Sequence, residues 1–487
     1  MDNKAIRNKA FTGTVWKFLE RLIAQGVSLV VSIIIARCLS PDEYSIVSIV
    51  IIFFAFADVF ISGGFNTALI QKKEADIYDY SSVLIISVFI SIICYMILFI
   101  SSPFLAKMYN KPILVSVIRV MSLVLPVNAL KSILCAYISS KLEFRKFFFA
   151  TIGGTIISGV IGVYLAFTGY GAWALVIQQM ANSIIDTIIL FFSTKIKFVI
   201  FLSINRIKVL FTYGWKIFIT NLLITLYSHI TPIIIGIKFN AENLSFYTKG
   251  QSFPSLVSST CTNTLSAVLF PVLAKCQDDK ILLLQYTRKF INLSSFIIFP
   301  TMLGLFSIAE NMVMLLLTEK WIEIVPYIRV FCIAYMFDVI HVGNCETIKA
   351  MGRSDVYLKM EIIKKTCYFI IIAFFVVYSK SPLVLSFSAI LCTVVAILVN
   401  SIPNVILINY SLFFQIKDMA LNLVSAIIMC IIVLLFGKIH INFVYKLLIQ
   451  LFVGVSVYWF IAIITQNKNY RYILNIISEM IKRNKNE

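Results

Sequence analysis

The chain has 487 residues, of which 60% are hydrophobic and 13% are charged, and its formal net charge is +19. Soluble globular chains are about 45–50% apolar and about 25% charged, so this composition excludes an ordinary soluble enzyme, a disordered protein and a secreted disulfide scaffold. In a membrane protein, an excess of basic residues is explained by the positive-inside rule, which places lysine and arginine in cytoplasmic loops. The composition therefore indicates a chain that is nearly all membrane helix.

Apolar runs recur along the whole chain. A membrane-crossing helix needs roughly 20 mainly apolar residues, and the chain has about fourteen such runs. We place them at 14–37, 44–64, 80–101, 113–137, 146–168, 172–193, 209–236, 244–274, 290–317, 325–349, 362–379, 383–408, 419–437 and 442–466. Lysines and arginines concentrate in alternate connections, starting with the N-terminal tail, which predicts cytoplasmic N- and C-termini. Lys17, Glu20 and Arg21 interrupt the first run, and no A-x-A site follows it, so we interpret it as a retained span rather than a cleaved signal.

An internal repeat predicts the architecture. The string FTGTVWKF, from Phe11, opens the first span, and FTYGWKIF, from Phe211, opens the seventh. Because six spans separate the copies, both enter the membrane in the same direction, as in a parallel repeat of two six-helix lobes. We therefore predict a lobe at 1–200 (spans 1–6), a second lobe at 201–412 (spans 7–12), and a last segment at 413–487 with two further spans and a cytoplasmic tail.

The fifth span carries a stripe of small residues. Gly154, Ser158 and Gly162 follow one another at i, i+4 and i+8, and therefore lie on one face of a helix. Small residues allow two membrane helices to approach closely. We predict that another helix packs against this face.

Seven short strings, in chain order, resemble a known transporter family. They are LSPDEYSIVSI, DVFISGGFNTALIQ, SKLEFRKF, GYGAWALV, LFPVLAKCQDD, LLLTEKW and KAMGRSD. Together they resemble the polysaccharide transporter family of the multidrug/oligosaccharidyl-lipid/polysaccharide (MOP) flippase superfamily, above all its Wzx-type colanic-acid and teichuronic-acid exporters. The chain departs from the family pattern at Thr318, where the family usually has glycine.

The resemblance implies an all-α, MATE-like membrane fold in the bacterial inner membrane. It also implies a flippase that moves undecaprenyl-diphosphate-linked oligosaccharides, the precursors of O-antigen lipopolysaccharide, capsule or exopolysaccharide, by alternating access. The expected partners are this lipid-linked substrate, the bilayer, and a polysaccharide polymerase with its chain-length machinery; nucleic acid is not expected.

Basic residues inside predicted spans are the candidate substrate ligands. A charged side chain within the bilayer is costly and usually faces a polar cavity. Lys17 and Lys216 each follow the repeated Trp, and the resemblance implies that the first, second, seventh and eighth spans line the cavity. We therefore predict that four basic residues form a clamp for the substrate diphosphate: Lys17, Arg21, Lys216 and Lys249. Arg119 and Arg329 are second-rank candidates for binding the substrate. The alternative for Lys17, Arg21 and Lys249 is that they reach the lipid headgroups.

Three further residues are candidates for coupling to an ion or a proton: Asp58, Asp338 and His341. Asp338 and His341 are spaced i, i+3 on one helix. The alternative is a buried polar pair that holds two helices together. Asp186 is expected to pair with a base on a neighbouring span.

We predict neither a cofactor nor a metal site. The ten cysteines are scattered without C-x-x-C spacing, and no phosphate-binding glycine loop, H-E-x-x-H or G-x-S-x-G string occurs. The chain is therefore predicted not to be an enzyme. The alternatives to a flippase are a cation-coupled multidrug antiporter of the same superfamily and a membrane polysaccharide polymerase, which generally needs a sizeable external loop.

Overall fold

The computed structural model describes residues 3–72, 75–141, 143–277, 279–439, 441–467 and 469–471, and their side chains except at 3–15, 17, 18, 264, 265, 267, 268, 270–272, 274, 275 and 354. Over these residues the chain is almost entirely helical. It forms two compact units, Met1–Ser245 and Phe246–Glu487. The prediction of lobes at 1–200 and 201–412 with a separate last segment is not tested by this division and stays a prediction.

The first unit contains nine helices and the start of a tenth within its described residues. They are α1 (Asn3–Cys38), α2 (Pro41–Ser62), α3 (Phe65–Gln71), α4 (Ile77–Met108), α5 (Leu114–Met121), α6 (Leu125–Lys141), α7 (Phe144–Phe167), α8 (Ala172–Thr194), α9 (Ile204–Lys238) and α10 (Ala241–Lys275), which continues into the second unit. A short 3-10 helix, Ser122–Val124, joins α5 to α6. The two copies of the sequence repeat open the long helices α1 and α9.

The second unit continues with eight more helices in the part of the chain that the structure describes. They are α11 (Lys280–Leu316), α12 (Val325–Tyr335), α13 (Asp338–Ala350), α14 (Ser354–Tyr378), α15 (Pro382–Ser386), α16 (Ser388–Ile408), α17 (Leu412–Phe436) and α18 (Phe443–Ile464). A 3-10 helix, Glu319–Ile324, precedes α12.

Twelve helical segments of the described chain are long and apolar enough to cross a membrane. The predicted spans at 244–274 and 362–379 coincide with α10 and α14, which are helical but more polar. The expected class, an all-helical polytopic membrane protein, is confirmed.

Local sequence explains where α2 begins. Ser40 and Glu43 form a capping box: the Ser40 hydroxyl accepts a hydrogen bond from the Glu43 backbone N–H, and the Glu43 carboxylate accepts one from the Ser40 backbone N–H at 2.8 Å. Pro41 occupies the first helical turn, where its missing N–H costs nothing. A Cβ on Gly171 would lie 2.4 Å from Oε1 of Glu43, so the strings LSPDEY and GYGAWALV fit against each other.

The backbone of α9 packs unusually close to the backbone of the turn between α2 and α3. Gly63 and Gly64 both have positive φ, a conformation that glycine adopts without steric cost. A Cβ on Gly64 would lie 2.1 Å from the carbonyl oxygen of Gly214, which belongs to the second copy of the repeat. Any side chain at Gly64 would therefore displace α9 from α2 and α3.

An ion cluster fixes the same end of α9. Arg206 donates hydrogen bonds to Asp76 at 2.6 Å and to the buried Asp79 at 3.0 Å, and Lys72 bonds Asp79 at 2.6 Å. Burial raises the pKa of Asp76, but the hydrogen bond and positive charge of Arg206, together with hydrogen bonds to Asp79, outweigh burial and hold this pKa below its usual range. The cluster ties the connection before α4 to the first turn of α9.

Thr318 has a backbone conformation that explains the family's preference for glycine. Its φ is +82° and its ψ is 172°, a region that is essentially restricted to glycine. Its hydroxyl oxygen is buried and has no hydrogen-bond partner among the described residues. The chain therefore carries backbone strain at this position.

Candidate functional site: a polar cavity in the first unit

Two adjoining polar cavities lie among the helices of the first unit. Cavity A has a volume of about 460 Å³ and is enclosed by α1, α2, α5, α6 and α8. Cavity B has a volume of about 540 Å³ and is enclosed by α2, α6, α8 and α9. Both volumes fall in the range of about 300–1,000 Å³ that is typical of small-molecule sites.

Four residues belong to both cavities and form the wall between them: Asp58, Asn128, Lys131 and Ser183. The Asn128 amide donates a hydrogen bond to Oδ1 of Asp58 at 3.2 Å, and the Ser183 hydroxyl donates to the Asn128 side-chain oxygen. This wall therefore presents acceptor and donor groups to both cavities in a membrane-spanning bundle.

A polar stripe on α8 supplies most of the remaining wall of cavity A. Gln178, Asn182 and Asp186 are spaced i, i+4 and i+8, and Gln179 and Ser183 form the adjacent row. All but Asp186 line the cavity. Because residues at this spacing share a helix face, the stripe turns one side of an apolar helix into a hydrogen-bonding surface.

Small residues on α7 position this stripe. A Cβ on Gly154 would lie 1.8 Å from Oδ1 of Asp186, and one on Gly162 would lie 2.7 Å from Cβ of Gln178. Ser158 completes the face and bonds Asn182 at 3.5 Å. The prediction that another helix packs against the small-residue face is confirmed, and that helix is α8.

Asp186 pairs with a base of a neighbouring span, as predicted. Lys131 on α6 donates a hydrogen bond to Oδ2 of Asp186 at 2.7 Å. The Asp186 side chain is 6% exposed, whereas that of Lys131 is 30% exposed and reaches both cavities. The pair keeps the charge of the buried carboxylate balanced while Lys131 faces the cavities.

The four residues of the predicted diphosphate clamp occupy different surroundings. The side chain of Lys17 lies outside the described residues. Arg21 on α1 and Lys216 on α9 are exposed in the first unit, and Lys249 on α10 is 4% exposed in the second unit. Nothing tests their role with substrate, so the clamp stays a prediction.

The second-rank arginines each rest on an aromatic ring. Arg119 donates a hydrogen bond to Ser102 at 3.2 Å and lies 4.1 Å from the ring centre of Phe99. Arg329 approaches Glu310 at 3.9 Å, and its guanidinium lies 5.6 Å from the ring centre of Phe306. Both roles also remain predictions.

The three candidates for ion coupling lie in separate places. Asp58 lines both cavities of the first unit. In the second unit, Asp338 accepts a hydrogen bond from the Ser258 hydroxyl, whereas His341 contacts Asn400 and Cys345. Asp338 and His341 therefore have different partners although they share a helix, and their coupling role stays a prediction.

Sequence reasoning missed the neutral polar residues of the site. Gln178, Gln179, Asn128 and Asn182 carry no charge, and a search for charged residues within spans passes over them. The signal that finds them is the spacing of the string QQMANSIID along α8, which places five polar side chains on adjacent rows of one helix.

The fold defined by these helices matches that of a solved flippase. The chain superimposes on a lipid II flippase, MurJ, in an inward closed conformation with a TM-score of 0.75, covering 95% of this chain and 100% of that chain at 16% sequence identity. At this identity the likeness shows the fold alone, and it confirms the expected MOP-like fold.

Curated relatives share sequence over most of the chain. The chain is 23% identical to the lipopolysaccharide biosynthesis protein WzxC of Escherichia coli (strain K12) over 74% of each chain. It is 21% identical to the succinoglycan biosynthesis transport protein ExoT of Rhizobium meliloti (strain 1021), over 63% of this chain and 62% of that relative.

A family model described as "Polysaccharide biosynthesis protein" matches residues 34–326. The chain belongs to this family, and the resemblance to the Wzx-type polysaccharide transporters is confirmed.

Proposed function

We propose that this chain flips undecaprenyl-diphosphate-linked oligosaccharide repeat units, precursors of O-antigen, capsule or exopolysaccharide, across the bacterial inner membrane by alternating access. The observation that carries the proposal is the pair of polar cavities inside a bundle of apolar helices, in a chain of a polysaccharide biosynthesis family. The N- and C-termini are cytoplasmic in this proposal, and a polymerase with its chain-length machinery receives the product.

The chemistry of the cavity walls suits a glycan. A sugar presents many hydroxyl groups, each of which would lose hydrogen bonds to water if it entered hydrocarbon. Asp58 offers a carboxylate acceptor, while Asn128, Gln178, Gln179 and Asn182 offer both donors and acceptors. Such walls replace the bonds to water and lower the barrier to crossing, while the prenyl tail stays in lipid.

The diphosphate needs a different environment. Its negative charges cannot cross hydrocarbon without compensating positive charge. We propose that Lys17, Arg21, Lys216 and Lys249 provide this charge, with Arg119 and Arg329 as secondary contacts. Asp58, Asp338 and His341 would carry the coupling cation or proton.

A cation-coupled multidrug antiporter remains the second candidate, because Asp58 places a carboxylate in both cavities. An organic cation would bind a carboxylate directly, whereas a glycan would not depend on its charge. Because Asp58 would also carry the coupling cation or proton of the flippase, the substrate separates the two functions: only the antiporter predicts transport of an organic cation that is lost in Asp58→Asn.

The test is genetic and biochemical. Deleting the gene should cause lipid-linked repeat units to accumulate on the cytoplasmic leaflet, and the wild-type gene should restore surface polysaccharide. The quadruple variant with alanine at Lys17, Arg21, Lys216 and Lys249 should insert normally but fail to complement. A control variant, Lys438→Ala with Lys446→Ala, removes two lysines outside the clamp and should complement fully. Full complementation by the quadruple variant would contradict the clamp, and absence of the accumulated lipid would contradict the flippase.

A further inference from the structure

Three side chains of types that can bind a metal converge in the second unit, and none of them lines cavity A or cavity B. His341 and Cys345 lie one turn apart on α13, and Glu361 lies on α14. Their candidate donor atoms all lie within 4.8 Å of one another. Glu361 is at least 16 positions away in sequence from both His341 and Cys345. Only the packing of α14 against α13 therefore brings its carboxylate to the other two side chains.

The spacing of the first two donors fits a metal ion between them. Nδ1 of His341 and Sγ of Cys345 are 3.6 Å apart. A tetrahedral zinc ion with bonds of about 2.3 Å to sulfur and about 2.0 Å to nitrogen places these two atoms roughly 3.6 Å apart. The helix therefore holds the pair at the separation of two ligands.

A fourth polar group contacts His341 and has one atom that the described part of the chain leaves unsatisfied. Asn400, on α16, is fully buried, and its side-chain amide contacts Nδ1 of His341. Its Oδ1 atom has no hydrogen-bond partner among the described residues. Rotating this amide by 180° exchanges its nitrogen for its oxygen, and the carbonyl oxygen, which can ligate a metal, then faces His341.

A neighbouring lysine completes the surroundings of the site. The buried Lys364 donates a hydrogen bond to Oε1 of Glu361, and the Glu361 side chain is 25% exposed. A carboxylate has about four acceptor sites, so this bond leaves Glu361 able to ligate a cation. Carboxylates that bind metals are commonly held in this way by a second hydrogen bond.

We propose that His341, Cys345 and Glu361, with the Asn400 carbonyl, bind one divalent transition-metal ion of the zinc class. Mixed sulfur, nitrogen and oxygen donors suit Zn²⁺ better than Mg²⁺ or Ca²⁺, which require oxygen ligands. The ion links α13, α14 and α16 and so stabilises the second unit. This site departs from the sequence-based expectation of no metal, and it competes with the coupling role proposed for His341, because the ion would occupy Nδ1 of this residue.

Cobalt binding tests the site, because Co²⁺ replaces zinc and reports thiolate ligation by a charge-transfer absorption band. The full chain, purified with a histidine-free tag and stripped of metal, should bind one Co²⁺ per chain and show this band. Cys345→Ser should lose the band, and His341→Gln should weaken binding at least tenfold. Cys430→Ala, which removes another buried cysteine of the second unit, should change binding less than twofold. A band that persists in Cys345→Ser, or no stoichiometric binding by the wild type, would overturn the proposal.

A second measurement uses the wild-type chain and so avoids any folding defect of the variants. Zn²⁺ should protect Cys345 from alkylation by a maleimide, as quantified on its peptide by mass spectrometry. Cys430 in the same sample serves as the internal control and should react equally with and without Zn²⁺. Alkylation of Cys345 that proceeds in the metal-free chain and is not slowed by Zn²⁺ would also overturn the proposal.

Discussion

Asparagine and glutamine side chains have different roles in the two units. In the second unit, the buried Asn344, Asn404 and Gln415 bond one another: Asn344 donates to Gln415 at 2.9 Å, and Asn404 donates to Asn344 at 2.7 Å. In the first unit, Gln178 and Gln179 line a cavity, and no hydrogen bond joins them to the described residues. Amides that satisfy one another hold helices together, whereas amides that face a cavity are available to a ligand.

A second amide cluster strengthens this contrast. Asn422 donates to Asn292 at 2.9 Å and accepts from Asn467 at 2.9 Å, and Asn469 donates to Asn292 at 2.7 Å. These bonds connect α11 and α17 with the segment after α18. The amides of these two clusters in the second unit are thus structural, whereas Gln178 and Gln179 of the first unit are available for binding.

Lys131 combines both roles and should give the largest effect. Lys131→Met leaves the buried Asp186 without its cation, and breaking a buried pair costs about 3 kcal/mol. We expect a clearly lower thermal midpoint of the purified protein together with reduced flipping. The double variant Lys131→Met with Asp186→Asn, which removes both charges, should recover at least half of the stability. No recovery would show that the pair is not what holds α6 to α8.

Asn344 tests the structural half of the comparison. Asn344→Leu removes the hydrogen bonds that Gln415 and Asn404 make with the Asn344 amide, which should lower the free energy of unfolding by about 2 kcal/mol. Gln415 keeps its bonds to Ser401 and to the Tyr410 carbonyl, and Asn404 keeps its bond to the backbone carbonyl of residue 344. Flipping per folded molecule should stay within twofold of the wild type. A tenfold loss of flipping with an unchanged thermal midpoint would reverse the assignment of roles.

Gln178 and Gln179 test the binding half. The double leucine variant removes two cavity-lining amides without breaking a hydrogen bond between described residues. Flipping should fall about tenfold, equivalent to about 1.4 kcal/mol, while the thermal midpoint changes by less than that of Asn344→Leu. Lower stability with undiminished flipping per folded molecule would contradict a binding role.

A substitution at Thr318 should have the smallest effect on stability, and it should stabilise the protein rather than destabilise it. Thr318→Gly relieves the strained backbone and removes a buried hydroxyl, so it should stabilise the protein by about 1 kcal/mol. Combined with Asn344→Leu, it should restore part of the lost stability. Gly169→Ala is the matched control: Gly169 also has a positive φ, with nothing within 4 Å of an added Cβ, so this variant should lose stability by strain alone. A destabilised Thr318→Gly would contradict the strain.

Much of the fold could be predicted because its signals are local. Apolar runs located the helices, and the spacing of Gly154, Ser158 and Gly162 identified the face that packs on α8. The departure at Thr318 marked a position that the backbone reserves for glycine. Asp186 was recognised as a paired acid because an unpaired charge within the membrane is too costly.

The site could be predicted only in part, because its geometry depends on contacts between distant helices. Asp58 was found from its charge, but its place between two cavities depends on α6, α8 and α9. Cys345 gives no signal of metal binding in the sequence, since its approach to Glu361 requires α13 and α14 to lie side by side. The charge of Lys249 predicts a substrate ligand, and that role stays a prediction; the sequence alone could not show that the fold buries this side chain.

The most direct test measures transport itself. The purified chain, reconstituted in liposomes with an undecaprenyl-diphosphate-linked oligosaccharide on one leaflet, should move the lipid to the other leaflet, as detected by a membrane-impermeant glycosidase. The account predicts translocation by the wild type and a rate about tenfold lower for Gln178→Leu with Gln179→Leu at equal incorporation. Translocation no faster than in empty liposomes, or an unchanged rate in the double variant, would contradict it.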